Sequence, residues 1–245
     1  MAKIISLVIS FICVLAAVSG TFAKSPKEDP KAPAVLSSVC QTLVANNIDP
    51  EAFRAAYLPL ASKQELLALV DHKYALSPNY IPNDLVGTGK ERLRAEAYSW
   101  FKKMQQDAKR QGISLRAVSG YRPYNYQMYL KKRTLNPDEV ANPGHSQHQL
   151  GTAIDFNTVS QEDENIPALQ WLKEHAGEYG FSLSFPKGGK AETGYPYEPW
   201  HYRYITREGV LLQDNFFGGS QHKMLVFLHT CLWNGKNAIS RPIEE

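Results

Sequence analysis

The stretch GHSQHQLGTAIDF, residues 144–156, joins a polar turn that carries histidine to the alternating pattern of a β-strand. From Gly151 onward, small residues and Asp155 fall on one side of the strand, and large apolar residues fall on the other. An ionised Asp155 among such neighbours needs a partner, because burying a lone charge is costly. His148 can share a cation with Asp155 once the chain bends at Gly151. A hydrogen-bonded His–Asp pair or a solvated turn histidine would explain either residue alone.

A second stretch, EPWHYRY at residues 198–204, supplies another histidine and an acid. Pro199 interrupts any continuous helix, so the two residues cannot be read as part of a helical HExxH motif. The aromatic residues at 200, 202 and 204 alternate as in a strand, which places His201 and Arg203 on the opposite face. Glu198 can face the same metal as His201 only if the chain turns or bulges at Pro199. The alternative is an aromatic strand with a surface glutamate.

Taken together, the two stretches have the composition of an open catalytic zinc site. His148, Asp155 and His201 offer two nitrogens and one carboxylate as ligands for Zn²⁺, which leaves a fourth position for water. Glu198 is then a spare base for that water.

The same residues carry a family resemblance. The pattern S-x-H-x-x-G-x-x-x-D from Ser146 to Asp155, followed by E-x-W-H from Glu198 to His201, resembles the VanY-like D-alanyl-D-alanine carboxypeptidases. These zinc peptidases are related to D-Ala-D-Ala dipeptidases, lysostaphin-type enzymes and the hedgehog domain. SGYRP at 119–123 with Gln127, and LSPNYIPNDLV at 76–86, also match, so that the resemblance covers roughly residues 68–215. Gln147 departs from the family pattern, which has an acidic residue at that position.

The resemblance implies an α+β fold, in which helices pack around a central, mostly antiparallel sheet that carries the zinc site. It implies a zinc-dependent D,D-carboxypeptidase that removes the C-terminal D-alanine from peptidoglycan stem peptides. In this interpretation Glu198 and Arg122 are catalytic. Arg122 steadies the scissile carbonyl or the terminal carboxylate, and Gln127 and Ser146 are secondary substrate contacts.

Two alternatives stay open at this point. One is an L,D-carboxypeptidase or a dipeptidase that acts on the same class of substrate. The other is a non-catalytic wall-binding module with a structural zinc, as the hedgehog resemblance permits. Glu198 argues against the module, because a structural zinc site needs four protein ligands and no spare base.

Length and composition predict one globular domain with extensions. The 245 residues are 43% hydrophobic, which is enough for a full core. The net charge of +3 is modest and spread along the chain, so the sequence shows no nucleic-acid-binding stripe. A mildly basic protein is compatible with an anionic wall polymer.

The N-terminus has the pattern of an export signal. Residues 1–23 combine a charged start, an apolar run and a small-residue end, which predicts a signal peptide cleaved near Ala23. The apolar run is short for a membrane span, so we expect no stable membrane insertion after cleavage and a periplasmic or secreted protein. An uncleaved anchor is the alternative. Residues 24–35, rich in Pro and Lys, are predicted to be a flexible linker.

The remaining chain divides into three predicted parts: an N-terminal helical extension at 36–67, a zinc carboxypeptidase domain at 68–215, and a C-terminal tail at 216–245 that packs on the domain. Hydrophobic periodicity and capping residues predict helices at 35–46, 50–57, 62–70, 91–111, 124–132 and 166–179, strands at 113–119 and 181–185, and a loop at 186–196.

The remaining histidines and cysteines lie outside the predicted zinc site. His175, His222 and His229 are expected to be structural or exposed. After export, Cys40 and Cys231 remain, and they either form a disulfide that joins the two ends of the chain or stay as buried free thiols.

Overall fold

The computed structural model describes residues 48–137, 140–157, 166–234 and 238–242. All the described residues belong to one compact unit. The predicted signal peptide, linker and helix at 35–46 lie outside the described residues. The domain boundaries therefore stay predictions.

The described chain contains seven α-helices and eight β-strands. The helices are α1 (Pro50–Tyr57), α2 (Ala95–Arg110), α3 (Tyr124–Arg133), α4 (Pro167–His175), α5 (Lys190–Thr193), α6 (Arg207–Phe216) and α7 (Gln221–Phe227). The strands are β1 (Tyr74–Leu76), β2 (Leu85–Val86), β3 (Leu93–Arg94), β4 (Ala117–Ser119), β5 (Ala153–Phe156), β6 (Phe181–Leu183), β7 (His201–Tyr204) and β8 (Ser240–Pro242). Short 3-10 turns connect several of them, and a π-helix, Leu228–Leu232, follows α7.

A four-stranded sheet in the order β4-β5-β7-β6 forms the centre of the fold. All of its pairings are antiparallel, and β1–β8 and β2–β3 form two further antiparallel pairs. The register of β5 and β7 sets Asp155 directly opposite His201. The predicted α+β class with an antiparallel sheet is confirmed.

One face of the sheet supplies the hydrophobic core. Every second residue of β5 and β7 points into this core: Ile154, Phe156, Tyr202 and Tyr204. There they pack with residues of α2, α4, α6 and α7. Successive side chains of a strand point to opposite faces, so Asp155 and His201 are left on the other face. The core thus explains why the two polar residues lie together.

The helix predicted at 62–70 is wrong, because this segment forms turns and extended chain. Its apolar residues 66–70 are all buried, on every side rather than on one helical face. The main-chain oxygens of Leu66 and Ala68 accept hydrogen bonds from Nη2 of the fully buried Arg203, at 3.1 and 2.8 Å. The extended chain satisfies these carbonyls through a distant side chain, so tertiary contacts outweigh the local capping pattern here.

Other boundaries differ from the predicted ones in small ways. Helix α2 begins at Ala95 rather than near 91, because the preceding residues form a 3-10 turn and then pair with β2 as strand β3. The helix predicted at 166–179 ends at His175 and continues as a 3-10 turn to Tyr179. The predicted loop at 186–196 contains the short helix α5.

The chain after β7 packs on the same core as α1. The Phe53 ring of α1 lies 5.0 Å from that of Phe216 and 5.1 Å from that of Phe227. Cys231 is disulfide-bonded. Both other cysteines of the chain lie outside the described residues, so a pairing with Cys40 stays a prediction. Among the described helices, none has the length and apolar character needed to cross a membrane.

Candidate metal centre

A tight turn presents His148 beside strand β5. His148 lies on a 3-10 turn, Gln147–Leu150, whose N-cap Ser146 accepts a hydrogen bond from the His148 amide at 3.4 Å. Gly151 ends the turn with φ of +71°, and a Cβ there would come within 2.8 Å of Leu85 Cδ2. Only glycine fits both requirements. The predicted bend at Gly151 is therefore confirmed.

A second turn brings Glu198 to the same side as His201. The His201 amide donates to the Glu198 carbonyl at 3.1 Å, which closes a four-residue turn with Pro199 in its second position. Proline favours that position because its φ is already set for the turn. Glu198 Oε2 consequently lies 3.8 Å from His201 Nδ1. The turn at Pro199, which a shared metal site for Glu198 and His201 required, is present.

The three predicted ligands converge. Candidate ligand atoms of His148, Asp155 and His201 all lie within 4.8 Å of one another, and no other such group occurs in the part of the chain that the structure describes. His148 Nε2 is 3.2 Å from Asp155 Oδ2, and His201 Nδ1 is 2.9 Å from Asp155 Oδ1. A tetrahedral zinc with ligand bonds of about 2.0–2.2 Å separates its ligand atoms by roughly 3.3–3.6 Å. The spacing is close to what zinc requires.

The electrostatics of the cluster suit a bound cation. Burial lowers the pKa of His148 to about 4, despite the opposing attraction of Asp155, so the imidazole is neutral near pH 7. Burial alone would raise the pKa of Asp155, but the adjoining His148 and His201 outweigh it and hold this pKa well below its usual range. A neutral His148 imidazole beside an ionised Asp155 carboxylate has the protonation states that metal ligands need.

The tautomer of His148 provides a further test of the fit. Its Nδ1 lies 2.7 Å from the Gly120 carbonyl oxygen, which can only accept, so Nδ1 carries the proton and donates it. The lone pair of Nε2 therefore faces the Asp155 carboxylate with no proton between them. Two facing acceptors repel each other unless a cation lies between them. The donor set and its geometry thus fit zinc.

These residues border a cleft of about 240 Å³. Predicted residues Arg122, Gln127, Ser146 and Glu198 line it, and so do Val140, Ala141, His145, Phe185, Tyr195 and Trp200. The sequence interpretation assigned no role to His145, although it lies within the 144–156 stretch. Phe185 directly precedes the predicted loop at 186–196 and Tyr195 lies within it, and no spacing pattern marks either residue.

Arg122 is held in place at the edge of the cluster. Its Nη1 donates to Gln127 Oε1 at 2.8 Å, its Nη2 donates to Ser119 Oγ at 2.9 Å, and Nη2 lies 3.6 Å from Asp155 Oδ2. Gln127 is buried, and its Nε2 donates to the Ala141 carbonyl at 2.7 Å. Both ends of the Gln127 amide are therefore used within the protein. Its contacts favour a role in holding Arg122, and direct binding of substrate by Gln127 stays a prediction.

The remaining histidines lie outside the ligand cluster. His175 ends α4 and pairs with Glu178 at 3.0 Å, and His222 of α7 lies 3.0 Å from Asp71 Oδ2. The buried His229 packs against the ring of Tyr74. Their places agree with the prediction that they are structural or exposed.

Comparison with known proteins identifies the family. A family model described as VanY, D-alanyl-D-alanine carboxypeptidase, matches residues 90–207, which include the candidate ligands and Glu198. A solved LdcB LD-carboxypeptidase is 31% identical, and the match covers 66% of this chain and 86% of that chain with a TM-score of 0.59. The chain belongs to the VanY-like D-alanyl-D-alanine carboxypeptidase family.

Other VanY-like proteins extend the comparison. A solved vancomycin-resistance VanY D,D-pentapeptidase variant in complex with Zn(II) is 26% identical, covering 66% of this chain and 99% of that chain with a TM-score of 0.56. A putative carboxypeptidase, YodJ of Bacillus subtilis (strain 168), is 36% identical over 64% of this chain and 66% of its own length. The chain spans between 55 and 66% of the length of the first three curated relatives that it matches.

Proposed function

We propose that the protein is a zinc-dependent carboxypeptidase that removes the C-terminal D-alanine from peptidoglycan stem peptides. The observation that carries the proposal is the convergence of His148, Asp155 and His201, with Glu198 outside the ligand contacts and Arg122 beside them, in one cleft. Relatives named as D-alanyl-D-alanine carboxypeptidases support both the substrate class and the reaction.

His148 Nε2, one carboxylate oxygen of Asp155 and His201 Nδ1 would hold the zinc. When bound, zinc supplies Lewis acidity and lowers the pKa of a coordinated water toward neutrality. The cluster leaves a fourth position, which the reaction needs for water or for the scissile carbonyl.

Glu198 is proposed as the general base and then the general acid. Its carboxylate lies 3.8 Å from His201 Nδ1, whereas the Asp155 contacts to the two histidines are 2.9 and 3.2 Å. The side chain is 16% exposed, so it reaches the cleft. Glu198 takes a proton from the attacking water, and it returns that proton to the amine nitrogen of the leaving D-alanine.

Arg122 is proposed to bind the terminal carboxylate or the carbonyl oxygen of the scissile bond. Gln127 and Ser119 orient its planar guanidinium, and N–H groups beyond those two hydrogen bonds remain for substrate. Ser146, the N-cap of the turn that carries His148, lines the cleft and is proposed as a secondary contact. The fixed fork of donors on Arg122 suits an oxyanion better than the mobile ammonium group of a lysine would.

Arg122→Lys tests this role, because lysine keeps the charge and loses the fork. Hydrogen bonds to charged groups contribute about 1.5–3 kcal/mol, so we expect kcat/KM to fall roughly 10- to 150-fold. The melting temperature should also fall slightly, since the contacts to Gln127 and Ser119 are weakened. Arg116→Lys, at an exposed arginine near the start of β4, is the matched control. A lower melting temperature with unchanged kcat/KM would show that Arg122 is purely structural.

Release of D-alanine tests the proposal as a whole. The mature protein with zinc should release one D-alanine from a pentapeptide stem that ends in D-Ala-D-Ala, as followed by mass spectrometry. An L-Ala-terminated stem should be left intact. Binding of stem peptides without cleavage would instead support a non-catalytic wall-binding module.

Similarity to the LdcB LD-carboxypeptidase favours a second candidate. An L,D-carboxypeptidase would act on the tetrapeptide stem and leave the pentapeptide intact, and a dipeptidase would hydrolyse free D-Ala-D-Ala to two molecules of D-alanine. The same mass-spectrometric assay with all three substrates distinguishes these activities.

From the proposed substrate class we infer that the protein works outside the cytosol, in the periplasm or beyond the membrane. This location agrees with the signal pattern at residues 1–23 and with the cell-wall activities for which the relatives are named. N-terminal sequencing of the native protein should give a start near Lys24. Recovery of intact Met1 from the cytosol would contradict it.

A further inference from the structure

His201 has a different partner on each ring nitrogen. Nδ1 lies 2.9 Å from Asp155 Oδ1, and Nε2 lies 3.1 Å from Oε1 of Gln147. All three side chains are largely buried, so each contact needs either one donor and one acceptor or a cation between two acceptors. In the arrangement observed, the amide oxygen of Gln147 accepts from Nε2–H, and the Nδ1 lone pair, which faces Asp155 Oδ1, is left for a metal.

Gln147, the partner of His201 Nε2, differs in kind from the partner of the other histidine ligand, His148. His148 donates to the Gly120 carbonyl, a main-chain acceptor that cannot change its character. Gln147 has an amide, and a half-turn of that amide replaces an acceptor with a donor in the same place. The tautomer of His148 is therefore fixed by the main chain, whereas the tautomer of His201 depends on the orientation of one side chain.

A buried polar chain connects that amide to helix α7. Ser184 Oγ lies 2.8 Å from Gln147 Oε1 and 3.1 Å from Oε1 of Gln221. Gln221 Nε2 donates to the Ser182 carbonyl at 3.1 Å, so its own amide cannot turn without setting two oxygens against each other. Gln221 belongs to α7, which lies beyond the residues 90–207 that match the family model.

Counting protons shows that two arrangements compete. Ser184 has a single hydroxyl proton and contacts two amide oxygens, those of Gln147 and Gln221. While the Gln147 oxygen faces Ser184 and His201, one of the two Ser184 contacts therefore lacks a proton. If the Gln147 amide turns, its NH₂ group donates to both Ser184 Oγ and His201 Nε2, and Ser184 donates to Gln221. Every contact is then satisfied, but the His201 proton moves to Nδ1 and donates to Asp155. That tautomer cannot bind a metal through Nδ1.

We propose that Gln147 is a positioning residue whose amide sets the tautomer of His201, so that metal binding at this site is coupled to a half-turn of the amide. The inference rests on the proposed metal site. Zinc selects the arrangement with the Gln147 oxygen toward His201, and removal of zinc favours the turned amide. Because only part of the metal-free protein is then competent, the apparent affinity is lower than the intrinsic affinity.

The test compares zinc affinities of full-length variants by competition with a chromophoric chelator. Gln147→Glu replaces the amide with a carboxylate, and both carboxylate oxygens can only accept a hydrogen bond from His201. This variant should bind zinc about 10- to 100-fold more tightly. Gln147→Met keeps the size of the side chain and removes the acceptor, so it should bind zinc about 10- to 100-fold more weakly. Unchanged affinity in both variants would overturn the proposal.

Two serines of the same sheet edge provide a matched pair. Ser184→Ala removes the contact with Gln147 and should change zinc affinity. Ser182→Ala removes an equally buried hydrogen bond, from Ser182 Oγ to Gln213 Oε1 at 2.7 Å, which does not touch Gln147. It should bind zinc as the wild type does. Equal effects of the two substitutions would indicate general loosening of the fold and would overturn the proposal.

Nitrogen-15 NMR of the histidine rings reads the tautomer directly and needs no variant. In wild type, His201 should carry its proton on Nδ1 without zinc and on Nε2 with zinc, and in Gln147→Glu it should carry the proton on Nε2 in both states. An Nε2–H tautomer in zinc-free wild type would overturn the proposed turn of the amide. Failure of wild type to bind one zinc would instead contradict the proposed metal site, which keeps the two failures distinct.

Discussion

Replacing Glu198 with Gln is expected to lower kcat by roughly a hundredfold to ten-thousandfold, the usual contribution of a general acid–base group. The amide has nearly the shape of the carboxylate, but it cannot take a proton from water. Glu198 also lies farther from His201 than Asp155 does, at 3.8 Å against 2.9 Å, so the variant should keep its zinc. The measurements are D-alanine release under saturating substrate and zinc content by elemental analysis.

The chain offers a close control for this substitution. Glu178 is also three residues from a histidine and pairs with His175, but on an exposed surface away from the cleft. Glu178→Gln should leave both kcat and zinc content unchanged. If Glu198→Gln loses its zinc, Glu198 is a ligand rather than the base, and if kcat stays within a few-fold of wild type, the proton is moved by another group.

The local part of the site could be predicted because it is written in short sequence patterns. Alternation after Gly151 placed Asp155 opposite the apolar residues, and Pro199 was identified as the place where a turn could bring Glu198 beside His201. Both patterns concern residues a few positions apart, where the period of a strand or the geometry of a turn decides which side chains share a face.

Contacts between distant segments could not be predicted in this way. Nothing in the sequence pairs Gln147 with His201, or Ser184 with Gln221, because these contacts depend on the register of the sheet and on the packing of α7. Arg203 also makes contacts between distant segments, and here the local pattern led to a wrong prediction. Its buried guanidinium donates to the carbonyls of Leu66 and Ala68, in a segment where the local pattern favoured a helix and the structure has none.

The second large effect concerns the ligands. His201→Ala and His148→Ala should each weaken zinc binding at least roughly a hundredfold, since loss of even an outer partner of a ligand costs about 10- to 100-fold. The remaining two ligands cannot complete an open three-ligand site. Activity should fall with occupancy, and added zinc should recover little of it.

Thermal unfolding checks the ligand assignment without reference to activity. A ligand present at about 1,000 times its Kd stabilises a folded protein by about 4 kcal/mol, so zinc should raise the melting temperature of wild type by several degrees. This rise should vanish in His201→Ala and His148→Ala. It should persist in His222→Ala, because His222 pairs with Asp71 outside the cluster. A zinc-dependent rise that survives in His201→Ala would place the metal elsewhere. One that vanishes in His222→Ala would mean that the α7 contact with Asp71 supports the site, because Asp71 O also binds Nδ1 of the cleft residue His145 at 2.7 Å.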